Sequence, residues 1–207
     1  VNAAYITYSN KLKLFSYQAG IRFEHSEFKG ELVDSALKFG YSYPKDLGGI
    51  FDALFPSLFL TRELAEGEEI QLNYTRRVRR PNFWQLNPFV DISDPYNLQQ
   101  GNPALQPEFT NSYEFNYNKQ YGNKNNLLAV LYHQRSAGEM TRFGDTITTE
   151  QYTQLNNAAV DPNAILNTFI NAASESVWGL ELTLQQNLGK NFDFSPNINF
   201  QYQKIIV

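Results

Sequence analysis

Apolar and polar residues alternate along several long stretches of the chain. In the clearest early stretch, the apolar positions are Phe15, Tyr17, Ala19, Ile21 and Phe23, and the residues between them are hydrophilic or glycine. A period of two is typical of a β-strand with one apolar and one polar face. The same pattern recurs in later stretches, at 70–75, 109–118, 128–132, 178–185 and 192–202. With weaker runs at 3–8 and 56–64, it predicts about eight strands.

The predicted connections between these strands alternate between short and long. Short turns are expected at 9–11, 65–68, 122–125 and 189–191, which are rich in residues that tolerate a positive φ or bond their own backbone. Long connections are expected at 27–55, 78–107 and 138–172, beyond the usual length for a compact domain. The third contains signals for two short helices, one at 149–155 and one after Asp161 and Pro162.

Antiparallel up-and-down strands with short turns at one end and long loops at the other are the organisation of an outer-membrane β-barrel. Only 18% of the residues are charged, whereas 36 are Asn or Gln, which suits a wet lumen beside a lipid-facing apolar surface. Aromatic residues make up 15% of the chain and suit the girdles at the two membrane interfaces. The expected fold is therefore an all-β transmembrane barrel portion with long extracellular loops, forming one domain over 1–207.

Charge and cysteine content exclude several function classes. The net charge of −4 argues against a nucleic-acid binder, and the absence of Cys excludes disulfide scaffolds and cysteine nucleophiles. No apolar run approaches the length of a membrane-spanning helix. Both chain ends fall inside strand-like runs without a polar tail, so we expect a piece of a longer polypeptide.

The second long connection contains a recognisable motif. It reads Arg79-Arg80-Pro81 and Leu86-Asn87-Pro88-Phe89, and it ends in Gly101-Asn102-Pro103-Ala104-Leu105-Gln106-Pro107-Glu108. A later strand contains Trp178-Gly179-Leu180-Glu181. These segments resemble the barrel of TonB-dependent outer-membrane receptors, especially the Bacteroidetes-type outer-membrane β-barrel family.

The resemblance implies a 22-stranded barrel in the bacterial outer membrane, plugged by an N-terminal domain and energised by TonB. By this resemblance, we expect the chain to supply about a third of such a barrel, without the plug, the TonB box, the early strands and the last few strands. The implied partners are the lipid bilayer, TonB acting through the missing plug, and an extracellular nutrient such as a siderophore or a glycan. Neither a cofactor nor an enzymatic activity is implied.

Ligand-binding candidates come from the second long connection. They are Arg79, Arg80, Trp84, Asn87 and Asn102. The alternative is architectural, because the five prolines of this connection stiffen it and prevent it from adding strands. The arginines are equally interpretable as an anion-binding group or as a solvated rim.

Histidine chemistry is an alternative hypothesis. His25 beside Ser26, or His133 near Ser136, would supply a base and a nucleophile if the side chains met in space. Neither histidine lies at a recognised metal-ligand spacing from the nearby glutamates. We therefore predict neither a catalytic nor a metal site.

The sequence leaves two other functions open. One is a soluble β-barrel or sandwich that binds a small apolar ligand, in which case the apolar face would enclose a dry interior. The other is a complete small outer-membrane barrel that acts as an adhesin or anchor.

Overall fold

The computed structural model describes residues 1–32, 37–45, 53–122, 124–189 and 191–207. Twelve strands belong to one mostly antiparallel sheet, which confirms the all-β class. The eight strands with ten or more residues are β1 (Asn2–Leu12), β2 (Phe15–Glu31), β4 (Leu54–Ala65), β5 (Glu68–Arg79), β8 (Glu108–Tyr121), β9 (Asn125–Thr146), β10 (Ile165–Asn187) and β12 (Asn197–Ile206). The shorter elements are β3 (Lys38–Tyr43), α1 (Phe83–Leu86), β6 (Val90–Asp91), β7 (Asn97–Gln100), α2 (Thr149–Leu155) and β11 (Asp193–Phe194).

The short turns lie close to their predicted positions, with one correction. Gly67, Gly122 and Gly189 have positive φ angles in the later turns, as the composition of those turns suggests. The first turn was predicted at 9–11, but β1 continues through this segment to Leu12. Lys13 takes the left-handed conformation instead, with φ of 51°, because Leu12 pairs directly with Phe15 and only two residues remain to reverse the chain.

The long connections are more ordered than their composition suggests. In the first, predicted at 27–55, β2 continues to Glu31 and β3 folds back on it, while 33–36 and 46–52 lie outside the described residues. The second, predicted at 78–107, contains α1, β6 and β7. The third, predicted at 138–172, is shorter than expected because β9 and β10 remain paired as far as Thr146 and Ile165.

One of the two predicted loop helices is present. Thr148 caps α2, where its hydroxyl accepts a hydrogen bond from the Gln151 amide and the Gln151 side chain returns one to the Thr148 amide. The helix predicted after Asp161 is wrong. Asp161 instead starts a turn, closed by the Ala164 amide on its carbonyl, and Ile165 then enters β10.

The sheet has two chemically distinct faces, as the alternation predicts, except in the stretch at 128–132, where Val130 lies on the polar face and Leu131 on the apolar face. Directly paired residues of neighbouring strands share a face, so the register defines rows across the sheet. One row of the apolar face, taken from β2 to β12, is Tyr17, Leu60, Leu72, Phe115, Leu131, Leu180 and Phe200. The adjacent row of the polar face is Ser16, Thr61, Gln71, Asn116, Val130, Glu181 and Asn199.

No second layer of the described chain covers the apolar face. Leu72, Leu131 and Phe200 are 53%, 51% and 63% exposed, and Phe194 is also exposed at 47%. This arrangement does not match the dry interior that a soluble barrel would need. Neither helix of the described residues is long and apolar enough to cross a membrane.

The sheet is open in the part of the chain that the structure describes. β1 pairs only with β2, and the long strand at the other side, β12, pairs only with β10. The residues shown here therefore do not close into a small barrel. One pairing departs from the up-and-down pattern, because β7 runs parallel to the start of β10.

Candidate functional site

The second long connection folds back on itself around α1. Asn82 caps this one-turn helix, with its side chain accepting from the Gln85 amide and its own amide donating to the Gln85 side chain, both at 3.0 Å. The returning chain is tied to the helix by the Asn102 amide, which donates to the Gln85 carbonyl at 2.6 Å. Gly101 makes this approach possible, because a Cβ there would lie 2.6 Å from the carbonyl oxygens of Trp84 and Asn87.

A small apolar core supports the other half of this connection. It consists of Leu98, Ile147, Val160 and Ala164, all nearly inaccessible to solvent. Leu98 belongs to β7, which adds to the start of β10 through the parallel pairing, so the second and third long connections pack as one unit. This packing holds the segment from α1 to β7 against the C-terminal end of β9 and the N-terminal end of β10.

A cleft of about 440 Å³ lies between α1 and these strand ends. We call it the α1 cleft. Its walls combine aromatic rings, uncharged amides and one charge of each sign. The lining residues are Trp84, Asn87, Phe89, Asp91, Gln99, Gln100, Gly101, Arg142, Asn167, Thr168 and Phe169.

The chemistry of the α1 cleft suits a ligand with both flat apolar and polar surfaces. Trp84 and Phe89 are 75% and 63% exposed, although large aromatic side chains are costly to leave in water. The Arg142 guanidinium lies over the Phe169 ring at 5.9 Å. Hydrogen bonds from the Ser93 hydroxyl and amide lower the pKa of Asp91, so this carboxylate is ionised at neutral pH.

Three of the five predicted ligand residues lie in or beside this cleft. Trp84 and Asn87 line it directly. Asn102 lies behind it, where its side-chain amide donates to the Phe169 carbonyl at 2.8 Å and its side-chain oxygen accepts from the Ala104 amide. Asn102 therefore anchors the cleft wall to β10. Direct ligand contact by these residues stays a prediction.

Arg79 is placed away from the cleft, at the end of β5. Its guanidinium pairs with Glu108 at 2.5 Å and with Glu139 at 3.1 Å, and it also donates to the Met140 carbonyl. Burial, together with the nearby Glu108 carboxylate, raises the pKa of Glu139 to about 8 against the weaker opposing effect of Arg79. The three side chains connect β5, β8 and β9 at the base of the connection.

Arg80 belongs to a separate network that holds β3. Its guanidinium pairs with the buried carboxylate of Glu24, which also pairs with Arg22 and accepts from the Tyr43 hydroxyl. Arg80 also donates to the Tyr43 hydroxyl at 2.9 Å. Burial lowers the pKa of Arg80 and raises that of Tyr43. Both predicted arginines are thus engaged within the protein and lie apart from Trp84 and Asn87.

Neither His133 nor His25 has the geometry toward its neighbouring serine that base catalysis would need. His133 Nε2 lies 3.1 Å from the Ser176 hydroxyl and its ring stacks on Trp178, whereas Ser136 is hydrogen-bonded to Thr110. His25 and Ser26 are consecutive on β2, so their side chains leave opposite faces of the sheet. Among the described residues, no three potential metal ligands come together.

Several cleft residues were missed by the sequence analysis. Arg142 and Phe169 lie in segments that were interpreted as loop, and the sequence shows no signal that they face Trp84. Phe89 was visible within the Leu-Asn-Pro-Phe motif, and the exposed aromatic residue after Pro88 was the one available hint. Gln99 and Asn167 are ordinary polar residues whose role depends on the parallel pairing of β7 with β10.

Comparison with protein families gives one match over the full chain. The profile described as "Outer membrane protein beta-barrel family" matches residues 1–207. The sequence comparison finds no match among curated proteins.

The fold is similar to parts of several solved outer-membrane proteins. The siderophore receptor PirA from Pseudomonas aeruginosa aligns with a TM-score of 0.68 and 17% identity, covering 98% of this chain and 34% of that one. The FrpB iron transporter from Neisseria meningitidis aligns with a TM-score of 0.61 and 16% identity, covering 98% and 26%. A ferric enterobactin receptor mutant from Pseudomonas aeruginosa, in complex with enterobactin, gives 0.59 and 16%, covering 97% and 27%. The chain thus spans about a third or less of these proteins.

Proposed function

Because the chain belongs to the outer membrane protein beta-barrel family, we propose that it forms one segment of the wall of a TonB-dependent receptor in the outer membrane. The resemblance of the connection motif and the fold similarity to siderophore receptors and an iron transporter support this proposal. In the whole protein, further strands would close the barrel on β1 and β12, and an N-terminal plug would fill it. TonB would move the plug to admit a bound nutrient.

The observation that carries the proposal is the position of the α1 cleft. It lies at the end of the sheet that bears the long connections, which face the outside in outer-membrane barrels. Exposed Trp84 and Phe89 would stack on a ring system of the ligand, while Arg142, Asp91 and the amides would bind its polar groups. A ferric siderophore or an oligosaccharide would provide both surfaces. Binding and transport, not chemical conversion, are the expected activity.

Uptake by the full-length protein tests this proposal. A host without its own ferric-siderophore receptors would express it, with and without TonB, and the uptake of ⁵⁵Fe-enterobactin and of a ¹⁴C-labelled maltooligosaccharide would be measured. We expect TonB-dependent uptake of one probe. Trp84→Ala should reduce the affinity for that probe at least tenfold, since stacking aromatics are common binding hot spots.

Tyr96→Ala provides the matched control. Tyr96 is a 63% exposed aromatic residue of the same connection but does not line the α1 cleft. Its replacement should leave uptake unchanged. Uptake of neither probe, or uptake that continues without TonB, would contradict the proposed transport function. Equal losses in the Tyr96 and Trp84 variants would contradict the role of the cleft.

A further inference from the structure

The apolar face changes character toward the long connections. One row of this face, near the long connections, consists of ring side chains. From β5 to β12, its residues are Tyr74, Tyr113, His133, Trp178 and Tyr202. We call it the aromatic row. Amphipathic rings concentrate where the hydrocarbon core of a membrane meets the headgroups. The aromatic row therefore indicates the outer boundary of the lipid-facing surface.

The next row of the same face is polar and cationic. Arg135 of β9 and Lys204 of β12 both pair with Ser176 of β10, one from each side. Two strand spacings, about 10 Å, therefore separate their backbones, and both long side chains reach a group placed above Ser176. Asn111 continues the row on β8, where its side chain accepts from the Tyr74 hydroxyl.

Neither cation is neutralised by the protein residues that the structure describes. Lys11, Lys29, Lys38, Lys119 and three arginines do form ion pairs there, but none of these pairs includes Arg135 or Lys204. Both residues are exposed. The paired positions around them hold Ser174, Ala137, Trp178 and His133, none of which is acidic.

Along the membrane normal, the two cations lie at the level expected for a lipid headgroup. About ten residues of tilted strand cross the hydrocarbon core, and Arg135 lies about ten residues beyond Asn125, where β9 begins beside a short turn. The aromatic row next to the cations is held in place by side-chain contacts, since His133 stacks on Trp178 at 3.9 Å and contacts the Ser176 hydroxyl at 3.1 Å. Basic side chains close to a membrane surface are attracted to anionic lipid headgroups.

From this juxtaposition we propose that Arg135 and Lys204 form a binding site for a phosphate of lipid A, the phosphorylated glycolipid of the outer leaflet. The acyl chains lie along the Leu131, Leu180 and Phe200 surface, and the phosphate accepts charge-assisted hydrogen bonds from both cations. The site depends on the membrane location of the chain and not on the nutrient that the whole protein carries.

Native mass spectrometry of the full-length protein tests the site. The detergent-solubilised, delipidated protein would be titrated with bis-phosphorylated lipid A, with the same lipid after enzymatic removal of its phosphates, and with inorganic phosphate as competitor. We expect the phosphorylated lipid to bind at least fivefold more tightly and inorganic phosphate to compete only weakly. Equal binding of the two lipids would overturn the proposal, whether or not any variant folds.

A pair of double variants locates the phosphate. Arg135→Gln with Lys204→Gln should reduce lipid A binding by at least tenfold, since each cation contributes about fivefold at a membrane surface. The control replaces Arg62 and Lys13 with Gln, which removes the same charge from exposed positions near the short turns. The control should bind lipid A as the wild type does. Undiminished binding by the first variant, or an equal loss in the control, would refute the assignment.

Discussion

Gly101 lies against the backbone of Asn87 so closely that a methyl group on Gly101 would approach the Asn87 carbonyl oxygen to 2.6 Å. The clash would involve backbone atoms of Trp84 in α1 and of Asn87 just after it, and these atoms cannot rotate away as a side chain does. We expect Gly101→Ala to displace α1 and to destabilise the closed connection by about 1–3 kcal/mol, the usual effect of overpacking. Hydrogen exchange of the peptide containing 82–89 in the full-length protein would report this as faster opening.

Gly144→Ala is a matched control for this change. A Cβ at Gly144 would first meet the Asn167 side-chain oxygen, at 2.9 Å, and that side chain can move. The control should alter exchange in 82–89 far less than Gly101→Ala does. If the two variants exchange alike, the close packing of the backbone is not what holds α1.

We predict that the Glu24 network holds β3 against β2. Glu24 is 1% exposed. Its carboxylate pairs with Arg80 and Arg22 and accepts a hydrogen bond from the Tyr43 hydroxyl. Glu24→Gln keeps the shape but leaves the arginines without their counter-charge. Loss of one partner of a buried ion pair costs about 3–5 kcal/mol, and the partial exposure of both arginines puts the expected loss at the lower end.

Exchange of the amides in 38–43 measures this loss as the free energy of local opening. Glu27→Gln removes an exposed carboxylate of the same strand that pairs with Lys29, and it should have little effect. Protection of β3 that survives Glu24→Gln unchanged would show that its aromatic packing alone is sufficient.

We predict that the contact of Glu139 with Arg79 and Glu108, where the second connection begins, depends on pH. Glu139 lies beyond the aromatic row on β9, and burial near Glu108 raises its pKa to about 8 from the ordinary 4.5. A carboxyl whose pKa is raised by folding holds its proton more tightly in the folded state. Its contribution to stability is therefore complete below about pH 4.5 and is lost as the pH rises through 8.

Glu139→Gln should remove this dependence. Between pH 5 and 8.5, the opening of the segment around Glu108 and Met140 should become easier in the wild type but change less in the variant, after correction for intrinsic exchange rates. The comparison uses the difference between the two proteins, so other titrating groups cancel. A parallel pH response of both would show that Glu139 does not titrate in this range.

The faces of the sheet were predictable from the sequence because alternation is a local property of a strand. The strands at 15–23, 109–118 and 178–185 show this clearly. The upper parts of β9 and β10 were not recognised, since Gly138, Glu139 and Asp145 interrupt the alternation and the backbone pairing alone extends the strands there.

The candidate site was only partly predictable for a related reason. Trp84 and Asn87 stood out through a motif in one connection, but the opposite wall of the α1 cleft comes from Arg142 and Phe169, far away in sequence. Their approach depends on the parallel pairing of β7 with β10, which no local pattern indicates. Likewise, Arg79 and Arg80 looked alike in sequence but enter two different ion-pair networks.

We propose above all that lipid covers the Leu72 and Phe115 face while the Gln71 and Asn116 face lines an aqueous space. The chain contains no Cys, so single spin labels can be placed at these positions once any cysteines elsewhere in the full-length protein have been replaced. In native-like vesicles, collision with dissolved oxygen and with a water-soluble nickel chelate would be measured for each label. We predict that labels at 72 and 115 collide mainly with oxygen and labels at 71 and 116 mainly with the nickel chelate; equal values, or the reverse order, would contradict the account.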